Sequence, residues 1–205
     1  MGRGLARTIR DPKARTRIID AGARAVAERG VHAASMRVIA AEAGVSTGYI
    51  THYFADKDEL IEAVLDATNR HAAARVLRVA RGDGPALERL ASAVDVMLPI
   101  DPARRREWQI WVAAWGEAAK GDHLSAGYRA GWTGLRDIFA DLLDEARRDG
   151  DLAPGVDVRH RADRLVTLLA GIGLLAGVER PGRVRATAEQ MLAEELAWLG
   201  EPQPS

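Results

Sequence analysis

The 205-residue sequence contains no cysteine, which excludes disulfide bonds, cysteine-based zinc sites and a cysteine nucleophile. It also lacks a long hydrophobic run. The longest, at residues 165–178, is shorter than the roughly 20 residues that a membrane-spanning helix needs. The basic N-terminal segment is not followed by the apolar stretch of a secretory signal peptide. We therefore expect a cytoplasmic protein that does not enter a membrane.

Strand-forming patterns are almost absent as well. Valine, isoleucine and threonine do not alternate with polar residues over a useful length. Helix starts and stops recur instead, as capping Asp or Ser residues before apolar segments and as glycines after them. The sequence predicts an all-α fold of about nine helices, at residues 12–29, 35–42, 46–53, 57–80, 85–98, 102–119, 123–149, 158–178 and 183–199. The glycines at 127, 131 and 134 weaken the seventh helix and permit a break there.

The net charge of zero conceals an uneven distribution of charge along the chain. Residues 1–57 carry 10 basic and 5 acidic side chains, whereas residues 58–205 carry 19 basic and 24 acidic ones. A basic first quarter favours binding to a polyanion, although a solvated basic arm gives the same excess. We predict a polyanion-binding domain at residues 1–56 and a second helical domain at residues 57–205.

The stretch GVSTG at residues 44–48 fits two different functions. As G-x-S-x-G, it matches the strand-to-helix turn that exposes the catalytic serine of α/β-hydrolases. The residues before it, SMRVIAAEA, have the apolar spacing of a helix instead. In a helix-turn-helix, Gly44 would turn the chain, Val45 would fill the turn and Ser46 would cap the second helix. The sequence thus favours a DNA-binding helix-turn-helix at about residues 34–53 over a hydrolase.

The run SMRVIAAEAGVSTGYITHYFADKDELIEAV closely resembles the N-terminal signature of the tetracycline-repressor (TetR) family of bacterial regulators. The matching features are Ile39-Ala40, the AGVS segment at 43–46, the pair Tyr53-Phe54, and Lys57 with Leu60. The similarity is specific over about residues 12–65 and looser beyond them. The pattern GVSTGYITHYF followed by KDEL is also similar to the choline-sensing branch of the family, which represses glycine betaine synthesis.

The resemblance implies which residues contact DNA. In a helix-turn-helix the start of the second helix enters the major groove, where hydroxyl, aromatic and cationic groups donate to base edges or phosphates. The candidates near base edges are Arg37, Thr47, Gly48, Tyr49, Thr51 and His52, and those for phosphates are Ser35, Ser46, Tyr53 and Lys57. The alternative role for Tyr53 is a core aromatic, and that for Lys57 is a solvated lysine.

The apolar run at residues 165–178 and the last predicted helix favour a homodimer. The run is apolar nearly all round and contains small residues that permit close approach. One face is therefore expected to pack on the domain and another on a partner. The expected interface residues are Leu165, Leu169, Gly173, Ala176, Gly177, Met191, Leu192 and Leu199. The alternative is that both helices belong to an internal core.

Tryptophan is concentrated in one part of a chain that is only 5% aromatic. Four of the five tryptophans lie within residues 108–132, at spacings that place them on shared helical faces. Such a stripe predicts either packed core or the pocket of a small-molecule effector. The pocket residues would be Trp108, Trp111, Trp115, Glu117, Tyr128 and Trp132. Aromatic faces beside a carboxylate suit an organic cation, and the rival ligand is a flat hydrophobic aromatic molecule.

We therefore predict a dimeric transcriptional regulator that binds palindromic double-stranded DNA, most simply a repressor released by a small-molecule effector. The alternatives are a DNA-binding or architectural protein without allosteric control, and a hydrolase that uses Ser46. We expect no metal, no cofactor and no enzymatic activity, because metal-ligand spacings and phosphate-binding glycine loops are missing from the sequence. The sequence does not separate a repressor from an activator.

Overall fold

The computed structural model describes residues 12–118, 125–153, 155–179 and 181–199. Within these ranges the chain forms nine α-helices and no β-strand, which confirms the all-α prediction. The helices are α1 (Pro12–Ala33), α2 (Met36–Ala43), α3 (Thr47–Ile50), α4 (Lys57–Ala80), α5 (Ala86–Asp95), α6 (Pro102–Ala118), α7 (Ser125–Asp149), α8 (Val158–Leu175) and α9 (Pro181–Leu199). None of the helices in the described ranges combines the length and the apolar character needed to cross a membrane.

Short polar side chains start several helices at the predicted positions. Ser35, Ser46 and Asp56 cap α2, α3 and α4, each by accepting a hydrogen bond from a backbone N–H of the first turn. Asp157 accepts two such bonds at the start of α8. These caps satisfy N–H groups that the helix itself leaves unpaired, so local sequence sets where the helices begin.

Two glycines with left-handed backbone shape the first two helices. Gly44, at φ 67°, ends α2 as predicted, and its N–H faces the last carbonyls of that helix. Gly30, at φ 76°, interrupts α1, but the helix resumes beyond it to Ala33. The sequence predicts an end at residue 29, and the observed element is a helix with a kink at Gly30. A residue with a side chain would be strained at both positions.

The third and seventh helices differ from the prediction. The break that the glycines permit in the seventh helix does not occur, and α7 is continuous from residue 125 to 149. Regular α-helix ends at Ile50 in α3, three residues earlier than predicted. The next turn is tightened, because the N–H of His52 donates to Tyr49 O at 3.3 Å and that of Tyr53 to Ile50 O at 2.8 Å.

The buried side chains form two hydrophobic cores. The head core joins α1, α2 and α3 to the first half of α4 around Phe54. The body core joins the rest of α4 to α5 through α9. Helix α6 belongs to both, because Ile110 and Ala114 lie in the head core whereas Trp108 and Trp111 lie in the body core. The head core also takes in α4 as far as residue 65, so a domain boundary after residue 56 stays a prediction.

Candidate nucleic-acid interface and ligand cavity

Helices α2 and α3 are joined by a tight turn with local hydrogen bonds. Gly44 ends α2, and the N–H of Val45 donates to Ala40 O at 3.0 Å. The Oγ of Ser46 accepts the N–H of Tyr49 at 3.1 Å and so starts α3. Ser46 thus follows one helix and caps another, unlike a hydrolase nucleophile, which stands between a strand and a helix. The geometry is that of a helix-turn-helix.

The outer side of α3 and the turn after it present most of the predicted groove residues to solvent. Thr47, Gly48, Thr51 and His52 are exposed, whereas Ile50 is fully buried in the head core and anchors the segment. An added Cβ at Gly48 would meet no atom closer than 3.9 Å. The backbone here is therefore open to close approach by another molecule.

Two tyrosines sit at the edge of this surface. The rings of Tyr49 and Tyr53 are 5.5 Å apart, and their hydroxyl oxygens are 3.4 Å apart. Tyr49 is half-buried, whereas Tyr53 is only 7% exposed and packs in the head core. The ring of Tyr53 is therefore structural, and any phosphate contact from this residue is limited to its hydroxyl.

The other predicted phosphate ligands lie at the starts of α2 and α4. The Oγ of Ser35 accepts the N–H of Val38 at 3.3 Å, and the hydroxyl hydrogen remains available to an acceptor. Arg37, on the first turn of α2, is exposed. The Nζ of Lys57 donates to His32 O at 3.3 Å, so this lysine also ties the start of α4 to the end of α1.

One contact of the head was not predicted from the sequence. The guanidinium carbon of Arg15 lies 5.0 Å from the centre of the Phe54 ring, a cation–π geometry. Arg15 is one of several basic residues near the N-terminus, and their sequence pattern does not distinguish a packed arginine from a solvated arm. The contact depends on residues far apart in the chain.

The four tryptophans of α6 and α7 pack against one another. The ring of Trp108 lies 5.1 Å from Trp111, 6.2 Å from Trp115 and 5.9 Å from Trp132, measured between centroids. Trp108 is 1% exposed, and its Nε1–H donates to Met97 O at 2.7 Å. Rings at these distances cover one another's faces and edges. The centre of the cluster is packed core and not an open cage.

An apolar cavity of about 340 Å³ lies next to this cluster, within the size range of small-molecule sites. Of the predicted pocket residues, Trp111 and Trp132 line it, whereas Trp108 and Trp115 belong to the packed cluster. Helices α4 and α7 supply most of the wall, which the sequence did not predict. The wall residues used below are Asn69, Arg70, Val76, Leu77, Gly134, Leu135 and Ile138.

Small residues on facing helices create the space for the cavity. Ala72 and Ala73 on α4 face Gly131 and Gly134 on α7 across it. The glycine spacing on the seventh helix was the available sequence signal, because it marks a helix face without side chains as well as a weakened helix. Which helix lies opposite that face does not follow from the spacing.

The polar part of the wall is fixed by one hydrogen bond. The Nε1–H of Trp111 donates to Asn69 Oδ1 at 2.9 Å. An added Cβ at Gly131 would lie 3.2 Å from Asn69 Cγ, so the missing side chain at this position makes room for the amide. The bond joins α4 to α6 at the point where both border the cavity.

Glu117 lies at the junction between α6 and the head. Its Oε2 is 3.0 Å from His32 Nε2, and the carboxylate is buried whereas the histidine is exposed. Glu117 is not part of the cavity wall. This placement corrects the prediction that Glu117 supplies a carboxylate to the pocket, because its partner belongs to α1.

Several predicted interface residues are buried inside the protomer. Leu165 and Leu169 are fully covered, and Leu192 is nearly so. Gly173 packs against Trp108 so closely that an added Cβ would lie 1.9 Å from ring atom Cε3. A side chain or backbone covered within its own chain has no surface left for a partner. The prediction of a dimer contact is therefore wrong for these four positions.

The exposed apolar surface of this region lies at the end of α8 and on α9. Met191, Ala176 and Gly177 are at least partly exposed and remain interface candidates. Three further exposed residues were missed, namely Leu174, Leu175 and Val178, of which Val178 is 82% exposed. Two other predicted residues, Tyr128 of the pocket and Leu199 of the interface, have side chains outside the described part of the structure.

A charged cluster joins α8 to α9. The carboxylate of Glu195 accepts hydrogen bonds from Arg161 at 3.0 Å and from Arg164 at 2.8 Å. The hydrogen bond from Arg164, with that from Arg161, lowers the pKa of Glu195 below its usual value, against the opposing effect of burial. The cluster explains a polar residue on an otherwise apolar stripe of the last helix.

Two family models match the chain. Residues 18–64 match the model for bacterial regulatory proteins of the tetR family. Residues 86–200 match the model for the C-terminal part of BetI-type transcriptional repressors.

Relatives and solved structures resemble the chain over most of its length. The transcriptional regulator PksA of Bacillus subtilis is 32% identical over 181 residues, which cover 88% of this chain and 86% of PksA. The regulator BetI of Klebsiella pneumoniae is 33% identical over 169 residues, 82% of this chain and 84% of BetI. A transcriptional regulator from Saccharomonospora viridis, solved in complex with choline, superimposes with a TM-score of 0.80 at 24% identity, over 89% of this chain and 97% of that one. At that identity the likeness shows the fold.

Proposed function

This chain belongs to the TetR family of bacterial regulatory proteins, and we propose that it is a homodimeric repressor that a small-molecule effector releases from a palindromic operator. As a member of the family it is a DNA-binding transcriptional regulator. Repression is the proposed direction because the C-terminal half matches a repressor model. The observation that carries the proposal is that α6 contributes to the cavity wall and to the head core.

Recognition of DNA is assigned to the exposed groups of α3 and the turn after it. Thr47, Thr51 and His52 bring hydroxyl and imidazole groups to a surface that Gly48 leaves open. Ser35, Ser46 and Lys57 lie at helix starts beside it and supply phosphate contacts. In a dimer that reads two half-sites one turn apart, the two recognition helices stand about 34–36 Å apart.

Control of DNA binding is assigned to α6. On one face Trp111 borders the cavity, and on another Ile110 and Ala114 pack in the head core. The Glu117–His32 contact attaches the end of α6 to α1 beyond the Gly30 kink. A ligand that moves Trp111 therefore moves a helix to which the head is attached. To act as an inducer, the ligand must favour the DNA-incompetent arrangement by about 1–3 kcal/mol.

The dimer is assigned to the exposed apolar ends of α8 and α9. Leu174, Leu175, Val178 and Met191 are large exposed apolar side chains. Clustered apolar exposure of this kind marks interaction sites on soluble proteins. Because the buried residues of α8 hold the helix on the body core, a partner at this surface would contact a rigid element.

Two ligand classes are candidates for the cavity. One is an organic cation such as choline, which the solved structure from Saccharomonospora viridis contains. The other is an apolar molecule, which the lining side chains favour directly. The two classes are distinguished by the charge that the cavity presents.

The function is tested by DNA selection and titration. A palindrome is selected from a random-sequence duplex pool with the intact protein, and its Kd is measured by fluorescence anisotropy. Thr47→Ala is expected to weaken binding by about 1–3 kcal/mol and to relax specificity if this hydroxyl reads a base. Lys57→Ala is expected to weaken binding to all sequences and to reduce the salt dependence.

The matched control for this experiment is Thr133→Ala, which removes the same side chain from an exposed position of α7. It is expected to leave the Kd unchanged. Equal Kd values for Thr47→Ala, Lys57→Ala and Thr133→Ala would contradict the assignment of α3 and its surroundings to DNA.

A further inference from the structure

We propose that the effector cavity takes an amphipathic carboxylate, with an apolar chain or ring in the cavity and its anionic head paired with Arg70. The inference rests on the proposed function, because it names the ligand class of the effector site. It is carried by three properties of the wall, namely its apolar character, its single charged group and the arrangement of its tryptophan rings.

The wall is mainly hydrocarbon. Val76 and Leu77 of α4 face Leu135 and Ile138 of α7 across the cavity. A ligand buried here gains free energy in proportion to the apolar area that leaves water. An ionic group placed among these side chains would lose its hydration without a partner. The ligand must therefore be apolar over most of its length, with any charge at the rim.

The charge at the rim is positive. Among the described residues that line the cavity, Arg70 is the charged one, and no carboxylate accompanies it. Its side chain is 66% exposed, and its nearest ion-pair partner, Asp66, is 4.0 Å away, at the limit of such a contact. The guanidinium is thus free to pair with a second carboxylate, whereas a cationic head group would be repelled.

The neutral polar group of the wall also favours an acceptor on the ligand. The Oδ1 of Asn69 already accepts the indole N–H of Trp111. The amide nitrogen has no hydrogen-bond partner within the described part of the chain, and Asn69 lines the cavity beside Arg70. Both groups next to the rim are therefore hydrogen-bond donors, which match a carboxylate and not an ammonium group.

The tryptophans do not form a cation cage. The rings of Trp111 and Trp132 lie 6.3 Å apart at an interplanar angle of 62°, and each also contacts Trp108. A quaternary ammonium group needs open ring faces around it. Here the rings meet one another, so they supply an apolar wall and not a box of separated faces.

The test uses three probes with one tail and different heads: decanoate, decanol and decyltrimethylammonium, each below its micellar concentration. Binding to the protein without DNA is measured by tryptophan fluorescence and thermal shift, and release of the selected palindrome by anisotropy. Decanoate is expected to bind about tenfold or more tightly than the ammonium probe. Decanol is expected to fall between them, because it keeps the tail and lacks the charge.

Variants locate the head group. Arg70→Gln is expected to weaken decanoate on the order of fivefold, as for a partly exposed ion pair, and to leave decanol within about twofold. Arg78→Gln removes an exposed arginine of the same helix that does not border the cavity, and it should leave all three probes unchanged. Gly134→Phe, which places a ring at the cavity wall, should weaken all three.

Each outcome decides one of the two proposals. Preference for the ammonium probe, or no Arg70 dependence of decanoate, overturns the carboxylate proposal while DNA binding and the effector role stand. Loss of decanoate binding in Arg81→Gln, in the adjoining groove, in place of Arg70→Gln overturns the position of the head. Tight, Arg70-dependent binding that leaves the palindrome bound supports the carboxylate site and contradicts the effector role.

Discussion

The head core and the body core are filled in different ways. In the head, an added Cβ at Gly22 of α1 would lie 2.8 Å from Val64 Cγ2 of α4, so the two helices are in direct contact. In the body, the small residues Ala72 and Gly134 border a cavity of about 340 Å³. A closely packed core holds one arrangement, whereas a core with internal space is repacked when that space is filled. The difference supports a head that reads DNA and a body that responds to a ligand.

The largest expected effects come from emptying a filled core. Leu60→Ala removes a fully buried side chain next to Gly22 in the head, and Leu135→Ala removes one that borders the cavity in the body. Both substitutions fall in a range of about 2–5 kcal/mol. We expect Leu60→Ala near the top of this range and Leu135→Ala near the bottom, because Leu135 already lacks neighbours on one side. Chemical denaturation measures both, and a larger loss for Leu135→Ala would break the comparison.

A smaller effect tests the contact between α6 and α8. Gly173→Ala forces a methyl group into the Trp108 ring, so we expect a loss of about 1–3 kcal/mol and a change in tryptophan emission. Gly171→Ala on the same helix meets no atom within 4 Å and should stabilise the helix by about 1 kcal/mol or less. Similar stability for the two variants would mean that Gly173 does not lie against Trp108.

Ser46 allows the helix cap to be separated from the contact with DNA. Ser46→Ala loses the hydrogen bond to the N–H of Tyr49 and should cost about 1 kcal/mol of stability. Ser46→Asp retains a capping oxygen but adds a negative charge, so stability should be kept while affinity for every DNA sequence falls. If Ser46→Asp binds DNA like the unchanged protein, Ser46 does not face phosphate.

The smallest effect concerns the α8–α9 cluster. Because the pKa of Glu195 is lowered in the folded protein, its ion pairs stabilise the fold above the usual value near 4.5 and lose this effect as the pH falls through the lowered value. Arg164 is half exposed, so we expect less than about 1 kcal/mol. Glu195→Gln should be less stable than the unchanged protein at neutral pH and equal to it in acid. A difference that persists in acid would exclude the ion pairs as its cause.

The head could be predicted from the sequence because its determinants are local. Ser35 and Ser46 each cap a helix through an N–H three residues later, and Gly44 supplies the left-handed turn between them. A motif of this kind needs no knowledge of distant residues. The kink at Gly30 was only half predicted, since the glycine marks a change of direction but not whether the helix resumes.

The body could not be predicted to the same depth because its site depends on which helix faces meet. The apolar run at 165–178 is apolar on all sides, so the pattern does not show that Leu165 and Gly173 face inward while Val178 faces solvent. The tryptophan stripe likewise does not show that Trp111 borders a cavity and Trp108 does not. These assignments require the packing of α4, α6, α7 and α8 together.

The account's central claim, that the cavity controls the head through α6, is tested most directly by filling the cavity without a ligand. Gly134→Phe places a ring at the cavity wall, where an added Cβ meets no atom within 4 Å. Its control, Ala74→Phe, places the same ring on an exposed position of α4 that does not border the cavity. The Kd for the selected palindrome should rise about 5- to 150-fold in Gly134→Phe and stay unchanged in Ala74→Phe. An unchanged Kd in Gly134→Phe, with altered Trp132 emission to show that the cavity is filled, would contradict the claim.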